Sequence, residues 1–283
     1  MQLISDPLEM QALALAKRRQ GVRIGVVPTM GFLHEGHLSL VRLARQHSDW
    51  VVLTLFVNPT QFGPHEDLDR YPRSLERDCT LCQAEGVDAV FAPESPSVYT
   101  PDHSVRVVEE QLSRGLCGAS RPGHFSGVLT VVAKLFNLTQ PDVAVFGEKD
   151  AQQLRVIRRM VRDLNMPVRI LSGPIFREAD GLAMSSRNQN LDEASRRKAP
   201  RIYQALCAAR DAAAAGERDP VVLRQKVLDT LGDLAPGTVD YLELVDDETL
   251  VPPSDLLTGP ALIALAVQFP GVRLIDNILI QAG

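Results

Sequence analysis

Short, unbroken apolar runs punctuate the first part of the chain: Arg23-Ile-Gly-Val-Val, Val51-Val-Leu-Thr-Leu-Phe-Val, Asp88-Ala-Val-Phe and Val143-Ala-Val-Phe. None alternates with polar residues, and continuous apolar strands belong to parallel sheets covered on both faces. The segments between them carry helical spacing. Leu38, Val41, Leu43 and Ala44 mark one helix, a second runs from about Ser74 to Glu85, and a third from Val128 to Leu138. A fourth, Asp150 to Leu164, has its stripe at Leu154, Ile157, Met160, Val161 and Leu164. Alternation of this kind predicts an α/β fold with a Rossmann-like parallel sheet.

The pattern changes after Val168-Arg-Ile-Leu and Pro174-Ile. A polar stretch, Met184-Ser-Ser-Arg-Asn-Gln-Asn, leads to an alanine-rich helix from about Asp192 to Ala215 and another from about Pro220 to Leu231. Strands are expected near Val239 to Val245, Ala261 to Val267 and Arg273 to Ile280. The expected division is therefore residues 1–175 as an α/β domain and 176–283 as a smaller α+β domain, with no internal repeat.

A length of 283 residues suits about two domains. Hydrophobic residues at 45% and charged residues at 23% exclude disordered and collagen-like chains. No apolar run approaches the ~20 residues of a membrane span; Ala261 to Val267 ends at Gln268. Lys17, Arg18 and Arg19 follow the first apolar segment, the wrong order for a secretory signal, so a cytoplasmic location is expected. A net charge of -5 argues against a nucleic-acid surface and leaves small anions as partners. Of the four cysteines, Cys79 and Cys82 form one Cys-x-x-Cys without a completing histidine pair. They read as small buried residues on one helix face.

Candidate chemistry lies just after the strands, where open α/β sheets bind ligands. Pro28-Thr-Met-Gly-Phe-Leu-His34-Glu-Gly-His37 follows the first run, Asn58-Pro-Thr-Gln61-Phe the second, and Gly147-Glu-Lys149-Asp150 a later one. His34 and His37 are three apart with Gly36 between them, at the start of a helix whose N–H groups and dipole favour an anion. A zincin would need His-Glu-x-x-His. His-x-Gly-His after a strand and loop is a signature of nucleotidyl transfer, set against two histidines that only cap a helix.

The runs Pro28 to His37, Phe56-Val-Asn-Pro-Thr-Gln-Phe62, Arg121-Pro-Gly-His-Phe125, Phe146-Gly-Glu-Lys-Asp150, Ser185-Ser-Arg-Asn188 and Arg273-Leu-Ile-Asp-Asn277 resemble the pantothenate synthetase (pantoate–β-alanine ligase) family of the HxGH nucleotidyltransferase superfamily. The resemblance implies ATP-dependent, AMP-forming condensation of pantoate with β-alanine through a pantoyl adenylate, with Mg²⁺ on the phosphates and a homodimeric enzyme. It assigns Met30, Gly31, His34, Gly36, His37, Gly147, Lys149, Asp150, Phe176, Met184, Ser185, Ser186 and Arg187 to ATP. His34, His37 and Lys149 would be catalytic, and Phe176 would act through its backbone. Asp150 would be a helix cap or a ribose ligand.

The same resemblance gives Gln61, Gln153, Asn58 and Arg121 to pantoate and β-alanine. Gln153 has independent support, since it lies four residues before Ile157 on an apolar stripe, where an unpartnered amide is costly. Asn58 and Gln61 have the alternative of plain turn residues around Pro59. Arg121 would be a substrate gate and His124 structural, while the C-terminal domain would close over the nucleotide as a lid. Asp78 is a candidate magnesium ligand on a charged helix, where a solvated carboxylate is the commoner case. The competing readings are another HxGH nucleotidyltransferase and a non-catalytic nucleotide-binding protein.

Overall fold

A parallel sheet forms from the predicted apolar runs and from two strands at its margins. A computed structural model describes residues 1–64 and 66–281. Its elements in chain order are β1 (Gln2–Ile4), α1 (Pro7–Arg19), β2 (Ile24–Thr29), α2 (Glu35–His47), β3 (Trp50–Leu55), α3 (Leu75–Ala84), β4 (Ala89–Phe91), α4 (Ser95–Val98), α5 (Leu116–Ser120) and α6 (His124–Thr139). There follow β5 (Val143–Gly147), α7 (Ala151–Asp163), β6 (Arg169–Gly173), α8 (Glu193–Lys198), α9 (Arg201–Ala214), α10 (Pro220–Leu231), β7 (Thr238–Asp246), β8 (Ala261–Phe269) and β9 (Val272–Ile280).

The chain divides into two compact units. The first comprises Met1–Glu110, Arg121–Glu148 and Gln153–Pro174; the second comprises Gln111–Ser120, Lys149–Gln152 and Ile175–Gly283. In the first unit six strands run parallel in the order β1-β4-β3-β2-β5-β6. Val27, Val51, Leu53, Val90, Val143 and Val145 fill its core together with Leu33, Leu40 and Val41. Helix α3 contributes Cys82, whose thiol burial pushes up to about 12, and half-buried Cys79, raised by the same cause. Both thiols are therefore held protonated, as small packing groups.

The second unit pairs an antiparallel sheet, β7-β8-β9, with α8, α9 and α10. Ile202, Leu206, Leu223, Val227, Ile263 and Leu265 lie at the centre of its core. The single alanine-rich helix expected from Asp192 to Ala215 is corrected to two, α8 and α9. Pro200 sits at the break, where a residue with no N–H and a ring crowding the preceding turn interrupts the ladder. No helix among the described residues is long and apolar enough to cross a membrane.

Candidate active site

The chain runs from β2 to β3 and β4 on one side of the sheet, then places β5 on the other side of β2. Such a reversal of direction is where open α/β sheets bind ligands. The loop leaving β2 is built tightly. Thr29 donates its hydroxyl to the Thr54 carbonyl at 2.7 Å and accepts the Gly31 N–H at 3.2 Å. Gly31 has φ +88°, and a β-carbon there would lie 3.2 Å from the Asp78 carboxylate, so glycine suits the position on both counts.

Asp78, on α3 and only 2% exposed, accepts the N–H of Phe32 at 2.7 Å and that of Leu33 at 2.8 Å, one on each oxygen. The expectation that Asp78 is a magnesium ligand is thereby corrected. Its two oxygens are committed to the backbone of the β2 loop, and the residue is an anchor inside the protein. Asp78→Asn, which turns one acceptor toward an N–H as a donor, is expected to lower unfolding free energy by about 1–3 kcal/mol in denaturant melts.

The anchored loop delivers His34 as the cap of α2 and His37 in its first turn. Their ring centroids are 4.0 Å apart. The His34 N–H donates to His37 Nδ1 at 3.3 Å. A neutral ring accepting at Nδ1 carries its proton on Nε2, so His37 presents an Nε2–H donor on the far side of the ring. The first-turn N–H groups of Glu35 and Gly36 have no intrahelical acceptors by construction. An anion at this helix end therefore meets backbone and imidazole donors together.

Beyond β3, Asn58 caps a 3₁₀ turn, Pro59–Gln61. Asn58 is 1% exposed and its amide is fully used: Nδ2 donates to Gln61 Oε1 and to the Gly127 carbonyl, both at 3.1 Å, and Oδ1 accepts from Tyr99 and Thr60 hydroxyls at 2.9 Å. Direct binding of a substrate by Asn58 is corrected accordingly; it holds Gln61. The amide of Gln61 itself donates to Met30 Sδ at 3.2 Å. A thioether is a weak acceptor, so exchanging it for a carboxylate or hydroxyl would cost the amide little.

The backbone of the same turn is gripped from behind. His124 donates from Nδ1 to the Gln61 carbonyl at 2.8 Å, which leaves Nε2 to accept from Arg121 Nη1 at 3.0 Å. Arg121 also reaches that carbonyl at 3.3 Å and pairs with Glu66 through Nε at 2.7 Å and through Nη2. The structure thus shows Arg121 clamped. Burial pushes the Glu66 carboxyl up, but Arg121's hydrogen bonds and charge outweigh it and hold the group below its ordinary value of 4.5. A carboxylate with a depressed folded pKa adds stability at neutral pH that is lost as pH falls through that lowered value. Glu66→Gln is therefore expected to flatten the loss of stability below about pH 4.5, measured by melts across pH.

Strand β5 ends at Gly147, and α7 carries half-buried Gln153. A 3₁₀ turn, Glu148–Asp150, runs straight into α7, and Lys149–Gln152 count with the second unit. Lys149 Nζ lies 3.8 Å from the Asp150 carboxylate, which is 46% exposed. Residues 176–184 form a small hairpin: Met184 N–H donates to the Phe176 carbonyl at 2.9 Å and Arg177 bridges Ala183. The Phe176 carbonyl accepts that one bond, and the Phe176 ring is exposed. Ser185 then caps the 3₁₀ turn Ser186–Asn190, accepting the Arg187 N–H at 3.3 Å. Asn188 ties this turn to Glu178 at 2.6 Å and to the Ala183 carbonyl at 3.1 Å.

A family model described as pantoate-beta-alanine ligase matches residues 2–279. The chain belongs to the pantoate–β-alanine ligase family. A pantothenate synthetase of Anaeromyxobacter dehalogenans is 55% identical over 283 residues, covering 98% of this chain and 97% of that protein. The crystal structure of pantothenate synthetase from Thermus thermophilus has a TM-score of 0.93 at 48% identity, over 98% of this chain and 99% of the other. Pantoate–β-alanine ligase from Francisella tularensis, complexed with β-γ ATP and β-alanine, has a TM-score of 0.81 at 33% identity over 99% and 97%.

Two residues of this ligase family member had no role assigned from the sequence. Gln152 is buried and donates Nε2 to the carbonyls of Leu112 at 2.7 Å and Gly115 at 2.8 Å. The rule that singled out Gln153 applies to it equally, since it lies four residues before buried Val156. Asn277 on β9 donates Nδ2 to the Lys149 carbonyl at 2.9 Å. Its place at the end of the Arg273-Leu-Ile-Asp-Asn277 run, as a buried amide on a largely apolar strand, was the signal for it.

Proposed function

We propose that the protein condenses pantoate with β-alanine at the expense of ATP, giving pantothenate, AMP and diphosphate. The observation that carries this reading is the anchored His34–His37 turn at the start of α2, in a chain that matches the ligase family over residues 2–279. The β-γ ATP and β-alanine named in the Francisella complex support the same substrates here.

In the first step a pantoate carboxylate oxygen attacks the α-phosphorus, the bond to the β-phosphate oxygen breaks, and diphosphate leaves. In the second the β-alanine amine attacks the acyl carbon of the adenylate, AMP leaves, and the amine gives up a proton. Neither step needs a nucleophile from the protein, so the residues position groups and stabilise phosphoryl charge. His37, through Nε2–H, and His34 donate to phosphate oxygens; Met30, Gly31, Gly36 and Gly147 lie along the nucleotide; Lys149 neutralises charge at the α-phosphate. Gln61 and Gln153 hold pantoate as neutral amides, which leave its carboxylate nucleophilic.

Residues 1–175 carry this binding and catalysis, and Ser185, Ser186 and Arg187 of the 176–283 part supply hydroxyls and a guanidinium suited to the β- and γ-phosphates. Arg121 steadies Gln61 rather than gating the site. Asp150 meets the ribose. Magnesium accompanies the phosphates of ATP; among the described residues no cluster of three or more His, Cys, Asp or Glu side chains is placed to hold it. The active form is a cytoplasmic homodimer, which light scattering tests.

The deciding assay is exchange of labelled diphosphate into ATP with pantoate and Mg²⁺ and without β-alanine. Exchange that depends on pantoate, with pantothenate formed once β-alanine is added, is the expected result. Folded, ATP-binding protein with neither activity would overturn the reading.

A further inference from the structure

Two adjacent residues of β9 hold both segments that the proposed function assigns to phosphate. Asn277 donates to the Lys149 carbonyl at 2.9 Å, fixing the backbone from which that side chain projects. Its own N–H donates to Asp276 Oδ1 at 2.8 Å. Asp276 in turn receives the Arg177 guanidinium as a two-pronged pair, Nη1 to Oδ2 at 2.6 Å and Nη2 to Oδ1 at 3.0 Å. Arg177 lies over the Tyr203 ring with its central carbon 3.5 Å from the centroid, and donates to the Gly181 carbonyl at 3.1 Å. That geometry locks the 176–184 hairpin, from which Ser185, Ser186 and Arg187 follow directly.

Packing alone does not explain these residues. Val272, Leu274 and Ile280 share a face of β9 with Asp276 and belong to the apolar core. A buried ion pair at such a place is seldom more stable than well-packed apolar side chains. Both Asp276 and Asn277 are buried, and their partners lie on the Lys149 turn and the 176–184 hairpin.

We infer that Asp276 and Asn277 are a positioning pair for the adenylation step: Asn277 sets Lys149, and Asp276 sets the Ser185–Arg187 segment through Arg177. One rigid strand thereby fixes the spacing of two phosphate-binding groups. The inference rests on the proposed role of Lys149.

The test uses the full chain with Asn277→Leu, and with Asn277→Asp, which keeps the shape but removes the donor. In variants with native melting curves, the maximal rate of pantoate-dependent exchange is expected to fall by about 10²-fold, the scale for a misplaced catalytic group. KM for pantoate stays at the native value. In a Lys149→Ala background the same substitutions have little further effect, because Lys149 no longer needs placing. If Asn277→Leu unfolds, Asn277→Asp carries the test. Native exchange in the Asn277 variants, or losses that multiply fully with that of Lys149→Ala, would overturn the positioning role while leaving the proposed function standing. Native exchange in Lys149→Ala would instead overturn the reading of the site beneath it.

Discussion

Alanine at His37 is expected to reduce pantoate-dependent diphosphate exchange by about 10²–10³-fold, the loss typical when one donor aimed at developing charge is removed. The substitution takes away the Nε2–H whose presence follows from the 3.3 Å bond accepted at Nδ1. It also removes the acceptor at 3.3 Å from the His34 N–H and the tilted ring 4.0 Å from that of His34, so His34 loses part of its own placement. Because His37 is only half-buried, little cavity is left, and the unfolding free energy should change by no more than about 0.5 kcal/mol. A variant that melts normally yet exchanges diphosphate at the native rate would reduce the two histidines to helix caps.

Gly127→Ala is the change expected to damage both fold and binding. Glycine inside a helix ordinarily costs about 0.5–1 kcal/mol relative to alanine, so on α6 alone the substitution would stabilise. Space decides otherwise: a β-carbon at residue 127 would lie 2.3 Å from the Thr60 carbonyl oxygen and 2.7 Å from the Gln61 nitrogen. Those are backbone atoms of the turn that presents Gln61, and the turn must move. A loss of about 3 kcal/mol is expected, at the upper end for overpacking, together with a raised KM for pantoate. Gly259→Ala, with nothing within 4 Å of the added carbon, serves as the comparison and should melt within about 0.5 kcal/mol of the native chain.

The central strands were legible because each is a continuous apolar run, and their order on both sides of β2 placed the histidine loop where chemistry was expected. The edge was not legible in the same way. β1 is three residues long, and in α1 the exposed Leu8 and Leu15 blur the stripe of buried Met10 and Ala14, although Asp6-Pro7 is a good helix start. Asp78 and Asn58 show a deeper limit. Local pattern makes Asp78 a solvated charge on a helix, but its partners, Phe32 and Leu33, lie 46 and 45 residues earlier in the chain. Asn58 looks like a turn residue or a ligand, and only the approach of Gly127, 69 residues on, commits its amide. The candidate residues stood out by type and spacing; the residues that hold them are defined by distant backbone groups.

The second compact unit borrows residues 111–120 and 149–152 from the middle of the chain, and this bears on the order in which the protein is made. Chain leaving the ribosome presents Cys117 long before Tyr241, whose hydroxyl will sit 3.2 Å from its sulfur. It presents Lys149 before Asn277, 128 residues later. The parallel sheet can pair its strands as soon as β6 has emerged, yet the turn bearing the lysine must wait for the last strand. A nascent chain halted at residue 174 would hold a paired sheet and an unanchored lysine. On the role proposed for Lys149, competence for adenylation waits until translation has delivered β9.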